Sequence, residues 1–109
     1  MNQVIFVGRL VQDPEIKELE SGKKATTITV AVNRQFKNPD GVYETDFIDC
    51  ILWDAIATNT VEYCRKGDII GVKGRLQTAN VDDGDGHMTK RELQVIAEKI
   101  TFLSSKNNN

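Results

Sequence analysis

From Thr26 to Phe36 the residues alternate in character: Ile28, Val30 and Val32 fall on one parity, and Thr27, Thr29, Ala31 and Asn33 on the other. Successive side chains of an extended chain point to opposite faces, so the pattern is that of a strand with one face in a core. The turn-rich run Lys37-Asn38-Pro39-Asp40-Gly41 follows. The alternation then resumes from Tyr43 to Trp53, with Ile48, Cys50 and Leu52 together and Phe47, Asp49, Ile51 and Trp53 together. The second set carries two large aromatic rings on the face opposite the aliphatic one.

The rest of the chain fits the same architecture. Between Gln3 and Leu10 both parities are apolar, Val4 and Phe6 on one and Ile5 and Val7 on the other. That is the mark of a strand covered on both faces, by its own core and by a partner, so Val4, Ile5, Phe6 and Val7 are the candidate oligomer interface. Asp13-Pro14 interrupts, and Ser21-Gly22-Lys23-Lys24 signals a turn before the next strand. Asp54 to Lys66 is the one convincing helix: Asp54 is placed to cap its start, Ala57, Val61 and Cys64 form a stripe, and Arg65 and Lys66 complement its C-terminal dipole before Gly67. Ile69 to Thr78 reads as a strand with Ile70, Val72, Gly74 and Leu76 inward and Lys73, Arg75 and Gln77 outward. Asp82-Asp83-Gly84-Asp85-Gly86 closes a hairpin into Thr89 to Ala97. The fold class is all-β, or mainly β: a five-stranded OB-type barrel with one short helix between strands 3 and 4, residues 1–103 forming the domain and 104–109 a short disordered polar tail.

With 109 residues the chain supports one modest core, which makes a large internal active-site cleft improbable. Apolar runs such as Val4 to Val7 fall far short of the roughly 20 residues that a bilayer requires, so no membrane partner is expected. The N-terminus lacks the basic and apolar regions of a signal peptide, and a cytoplasmic location is expected. Cys50 and Cys64, 14 positions apart and without a second pair or a nearby histidine, read as free buried thiols. The net charge is −2, so any polyanion would have to meet a local basic surface.

Phe47 and Trp53, six residues apart on one face, are separated by about 20 Å at roughly 3.3 Å per residue, so they are not adjacent platforms. Phe36 lies beyond the last aliphatic core position of its strand, between Arg34 and Lys37. Lys73 and Arg75 form a basic ridge, and Lys23 and Lys24 occupy a hairpin. Single-stranded nucleic acid needs such ingredients: cations for phosphates, and flat rings on which unpaired bases stack at about 1 to 3 kcal/mol each. The same rings would serve equally as core or subunit contacts, and the cations as a solvated face, so spacing alone leaves the function open. Three minor patterns carry less. The acidic run from Asp82 to Gly86 lacks the bidentate Glu of a calcium loop, since residue 93 is Leu; Gly71-Val72-Lys73-Gly74 lies inside a strand; and the lone His87 has no triad partners at a telling spacing.

The opening Asn2-Gln3-Val4-Ile5-Phe6-Val7-Gly8-Arg9-Leu10, followed by Asp13-Pro14-Glu15, resembles that of bacterial single-stranded DNA-binding proteins. Matching segments follow in order: Thr29-Val30-Ala31-Val32-Asn33-Arg34, Thr45-Asp46-Phe47-Ile48, Glu62-Tyr63-Cys64-Arg65-Lys66-Gly67-Asp68 and Gly74-Arg75-Leu76-Gln77. Each is weak singly, but together they cover about residues 2–103. The resemblance implies an OB-fold, a homotetramer, and sequence-independent binding and protection of single-stranded DNA in replication, recombination, repair or DNA uptake, at the nucleoid. Phe36, Phe47 and Trp53 would be the stacking residues, and Arg9, Lys23, Lys24, Arg34, Lys37, Lys73 and Arg75 the phosphate contacts. No cofactor, metal or catalytic residue is implied.

Three departures from the family pattern stand out. Val81 takes the place of a further aromatic; Asp49 puts negative charge between Phe47 and Trp53, with Asp54 following; and the chain ends at Asn109 without the acidic, hydrophobic-tipped tail of longer members. Tail-mediated recruitment of repair enzymes is therefore not expected, unless mixed tetramers with a longer paralogue restore it. Two rival functions remain: a protein-interaction module using the exposed aromatics, and a small metal-dependent barrel nuclease with Asp46, Asp49 and Asp54 as ligands.

Overall fold

The computed structural model describes residues 1–82 and 88–104. The elements run in the order β1 (Val4–Leu10), β2 (Lys17–Glu18), β3 (Lys24–Lys37), β4 (Tyr43–Trp53), α1 (Asp54–Tyr63), β5 (Ile69–Asp82) and β6 (Met88–Ser104). Strands lie side by side as β1-β5-β6-β4-β3-β2, and β1 also pairs with β3, which closes five of them into a barrel. The closing contact is short, Arg9 opposite Ala31 and Leu10 opposite Val30. All described pairings are antiparallel except β4 with β6, where Cys50 lies opposite Val95 and Ile51 opposite Ile96. The expected OB-type barrel is thus present. The two-residue β2, paired with the start of β3, adds one strand to the chain order, so the helix follows the fourth strand rather than the third.

The inward parity of each strand makes the core. Leu10, Ile28, Val30, Cys50, Leu52, Ile70 and Val72 are buried together with Ala57 of the helix and Cys64 just past its end. Both cysteines are free, as expected, and burial in the apolar core pushes the thiols up, Cys50 to about 12 and Cys64 to about 11, with the carboxylates of Asp49 and Asp68 adding to it. Gly8 sits where β1 crosses β3: a Cβ there would meet the Ala31 carbonyl oxygen and lie 2.7 Å from Val30 Cγ1. Gly74 is pressed in the same way against the Ile96 carbonyl, where β5 and β6 shift register.

Several local expectations are corrected. The helix stops at Tyr63 instead of Lys66, because Gly67 turns with φ +94° and Asp68 binds the Arg65 amide at 2.8 Å. Arg65 nevertheless reaches the helix end, donating to the carbonyls of Val61 and Cys64. Asp54 does not cap: with φ +50° its carboxylate accepts instead from the Lys24 amide, which pins the helix start to β3. Leu76, read as inward, is exposed, since the core ends near Gly74 and the β5–β6 hairpin runs on past it as an arm. β6 extends to Ser104, the residue expected to open the tail; residues 105–109 lie outside the described ones. The expected hairpin closure at Asp83, Gly84, Asp85 and Gly86, and His87 after it, also falls outside the described residues, whose flanking Asp82 and Met88 are antiparallel partners.

Candidate nucleic-acid interface

The outer face of β3 and β4 is set by register. Ala25 lies opposite Trp53, Thr27 opposite Ile51, Thr29 opposite Asp49 and Ala31 opposite Phe47. Every β3 residue in these pairs is small, so the large side chains of β4 are not covered from that side. Phe47 is 67% exposed. Trp53 is half-buried, and the Lys23 ammonium stands 5.4 Å from its ring centroid. Phe36 is 83% exposed and lies on an arm beyond the barrel, where the register slips between Asn33 and Lys37. The three rings chosen from the sequence therefore present accessible faces, spread along one hairpin rather than gathered in a pocket.

Ion pairing fixes the arm. Arg34 reaches Glu44 at 2.6 Å and Asp46 at 2.9 Å across the hairpin. The hydrogen bonds and charge of Asp46, with Glu44 adding charge, hold the Arg34 guanidinium above its ordinary value, and the bonds from Arg34 hold Asp46 below the usual carboxylate range. Arg34 thus carries a matched charge.

The other cations differ in how free they are. Arg9 donates to the Gly67 carbonyl at 2.6 Å, Lys37 lies 5.6 Å from the Tyr43 ring, and Arg75 is 3.7 Å from Glu98 and bonded to Gln77. Lys24 and Lys73 are exposed, and Lys73 stands in a cross-strand row between Ile5 and Lys99.

That row belongs to a second surface, formed by β1, β5 and β6. Ile5 is 69% and Val7 53% exposed, whereas Val4 and Phe6 are half-buried and Phe6 packs on the core. Of the four residues assigned from sequence to a subunit contact, only Ile5 and Val7 have a free outer face; Val4 and Phe6 point inward. Lys73 shares this surface with them, apart from the rings of β4.

Two features escaped the sequence reading. Tyr43 is exposed beside Lys37. It has the parity of Phe47 and Trp53, a signal that was available. The second is a groove of about 510 Å3 between the β4 face and β6, lined on one side by Phe47 and Asp49 and on the other by Glu92, Leu93 and Gln94. No sequence pattern joins those segments, because only the barrel closure brings β6 beside β4. Asp49 itself meets no cation among the described residues: its Oδ1 accepts from the Thr29 hydroxyl at 2.6 Å. Asp46, Asp49 and Asp54 bind Arg34, Thr29 and the Lys24 amide separately, and no group of three or more metal-ligating side chains converges among the described residues. Nor is any described helix long and apolar enough to cross a membrane.

Residues 1–103 match the single-strand binding protein family. The chain is similar to single-stranded DNA-binding protein 2 of Listeria monocytogenes, 45% identical over 111 residues that cover 100% of this chain and 68% of that protein. It is also similar to two proteins of Bacillus subtilis: single-stranded DNA-binding protein B, 40% identical over 96% of this chain and 92% of that one, and single-stranded DNA-binding protein A, 42% identical over 98% and 62%.

Proposed function

The chain belongs to the single-strand binding protein family, and from that premise we propose that it binds and protects single-stranded DNA of any sequence, as a non-enzymatic homotetramer serving replication, recombination, repair or DNA uptake. The observation that carries this reading is the uncovered β3–β4 face, with Phe47 and Phe36 exposed and Trp53 half-exposed beside Lys23. Unpaired bases stack on such rings, whereas a duplex hides its base faces. Lys23, Lys24 and Lys37 flank the rings and supply phosphate contacts; Arg9, Arg34 and Arg75, already bonded within the protein, contribute by reorienting or through long-range attraction. Lys73 joins the phosphate path where the strand passes between protomers. Ile5 and Val7 form the outer apolar row of the subunit contact, backed by Val4 and Phe6. Joining several faces in one tetramer turns weak single contacts into a continuous wrapping path.

The test is a titration of Trp53 fluorescence with a long homopolymer at two salt concentrations, with the mass of the free and bound protein measured in parallel. Quenching, affinity that falls steeply with salt, and a tetrameric mass are expected. Unquenched fluorescence or a salt-independent affinity would refute the reading, and strand cleavage on adding magnesium would turn it towards a nuclease.

A further inference from the structure

The groove beside Phe47 has the wrong charge for a phosphate and ample room for a base. It measures about 510 Å3, and no lysine or arginine among the described residues lines it. Its polar lining residues are Thr27, Asp49, Glu92 and Gln94, with Asp49 and Glu92 the charged ones, while Phe47 and the 65% exposed Leu93 are apolar residues on opposite sides. Asp49 is held by the Thr29 hydroxyl through Oδ1, which leaves Oδ2 without a partner among the described residues. A strand stacked on Phe47 must therefore keep its phosphates outside and turn a base edge towards acceptors that carry negative charge.

We propose that Asp49 makes the Phe47 subsite selective for bases bearing an exocyclic amine, cytosine above all, over thymine and uracil. The chemistry is that of edge recognition. The cytosine N4 amine donates to a carboxylate, whereas thymine and uracil present a carbonyl oxygen at the same position, which a carboxylate repels. The Thr29 hydroxyl fixes the rotamer of Asp49, and Glu92 across the groove adds charge of the same sign, so neither side of the groove offers thymine a cationic donor. This selectivity rests on the β3–β4 face being the single-strand platform, and it adds a local preference to a binder that otherwise ignores sequence.

The experiment compares oligo-dC with oligo-dU of equal length, which removes the thymine methyl group as a variable, by quenching of Trp53 fluorescence at fixed salt. The wild-type protein is expected to favour oligo-dC. In Asp49→Asn the side-chain carbonyl still accepts from Thr29, but an amide donor now faces the base, so the dU-to-dC ratio of dissociation constants should fall about five- to tenfold. Glu92→Gln should lower it less, and Glu62→Gln, which removes the same charge from the exposed surface of α1, should leave it unchanged. Equal tightening of both oligomers by Asp49→Asn would mean a purely electrostatic effect and would overturn the selectivity while leaving the platform intact. If neither oligomer quenches Trp53 in any variant, the platform reading falls and the selectivity with it.

Discussion

Opposite Phe47 stands Ala31, whose single methyl group leaves the ring open to anything that approaches the sheet. A ring in that position is an unpaid hydrophobic exposure in the free protein, and a nucleobase laid on it removes water from both surfaces. Phe47→Ala should therefore weaken binding of a single strand by about 1 to 3 kcal/mol per occupied site, with little effect on folding because the side chain makes no core contact. A fluorescence titration together with a denaturation curve checks this, and a variant that binds normally would remove Phe47 from the platform. Trp53 illustrates what residue type alone conceals. Its parity with Phe47 is plain in the sequence, but the lysine standing beside its ring comes from a turn 30 residues away. The pairing of Arg34 with Glu44 and Asp46 was equally hidden, since a cation next to a possible stacking ring reads as a free phosphate contact until its cross-strand neighbours are known.

At the level of elements, the barrel depends on places where two backbones come closer than a side chain allows. The crossing of β1 over β3 is one, and Gly8 is its requirement. Gly8→Ala would force a methyl group into the Ala31 carbonyl and the Val30 side chain, neither a flexible tip able to swing away. The expected loss is about 1 to 3 kcal/mol, the usual cost of overpacking, read as a lower urea midpoint at unchanged slope. A midpoint equal to that of the parent protein would mean that β1 moves aside without cost. The helix shows the reverse case, an element legible in existence but not in detail. Its apolar side is clear from Ala57 and, just past its end, Cys64, yet that end depends on a bond from the Arg65 amide to the Asp68 carboxylate, and its start on a bond from the Lys24 amide to Asp54. Propensity places a helix; tertiary hydrogen bonds choose its last residue.

For the whole molecule, the open question of assembly centres on the row Ile5, Lys73 and Lys99 across β1, β5 and β6, next to the exposed Val7. Ile5→Lys would place a third ammonium in that row, and the protomer should keep its fold because Ile5 lies outside the core. Its mass in solution is expected to drop below that of the proposed tetramer; an unaltered mass would exclude this surface from the proposed subunit contact. The amino-acid order by itself determined which parity of β3 and β4 faces inward, since a period of two with one apolar set admits one burial pattern, and it marked the rings and cations that compete for the outer face; it could not show where the core ends, which leaves Leu76 exposed, or which parity of β1 is outermost. What it left undecided was everything that depends on closing the barrel. Closure sets β6 parallel to β4, opens the groove beside Phe47 and Asp49, and separates Lys73 from the rings. These are relations between segments far apart in the chain, and alternation within a strand carries no information about which strand lies next to it.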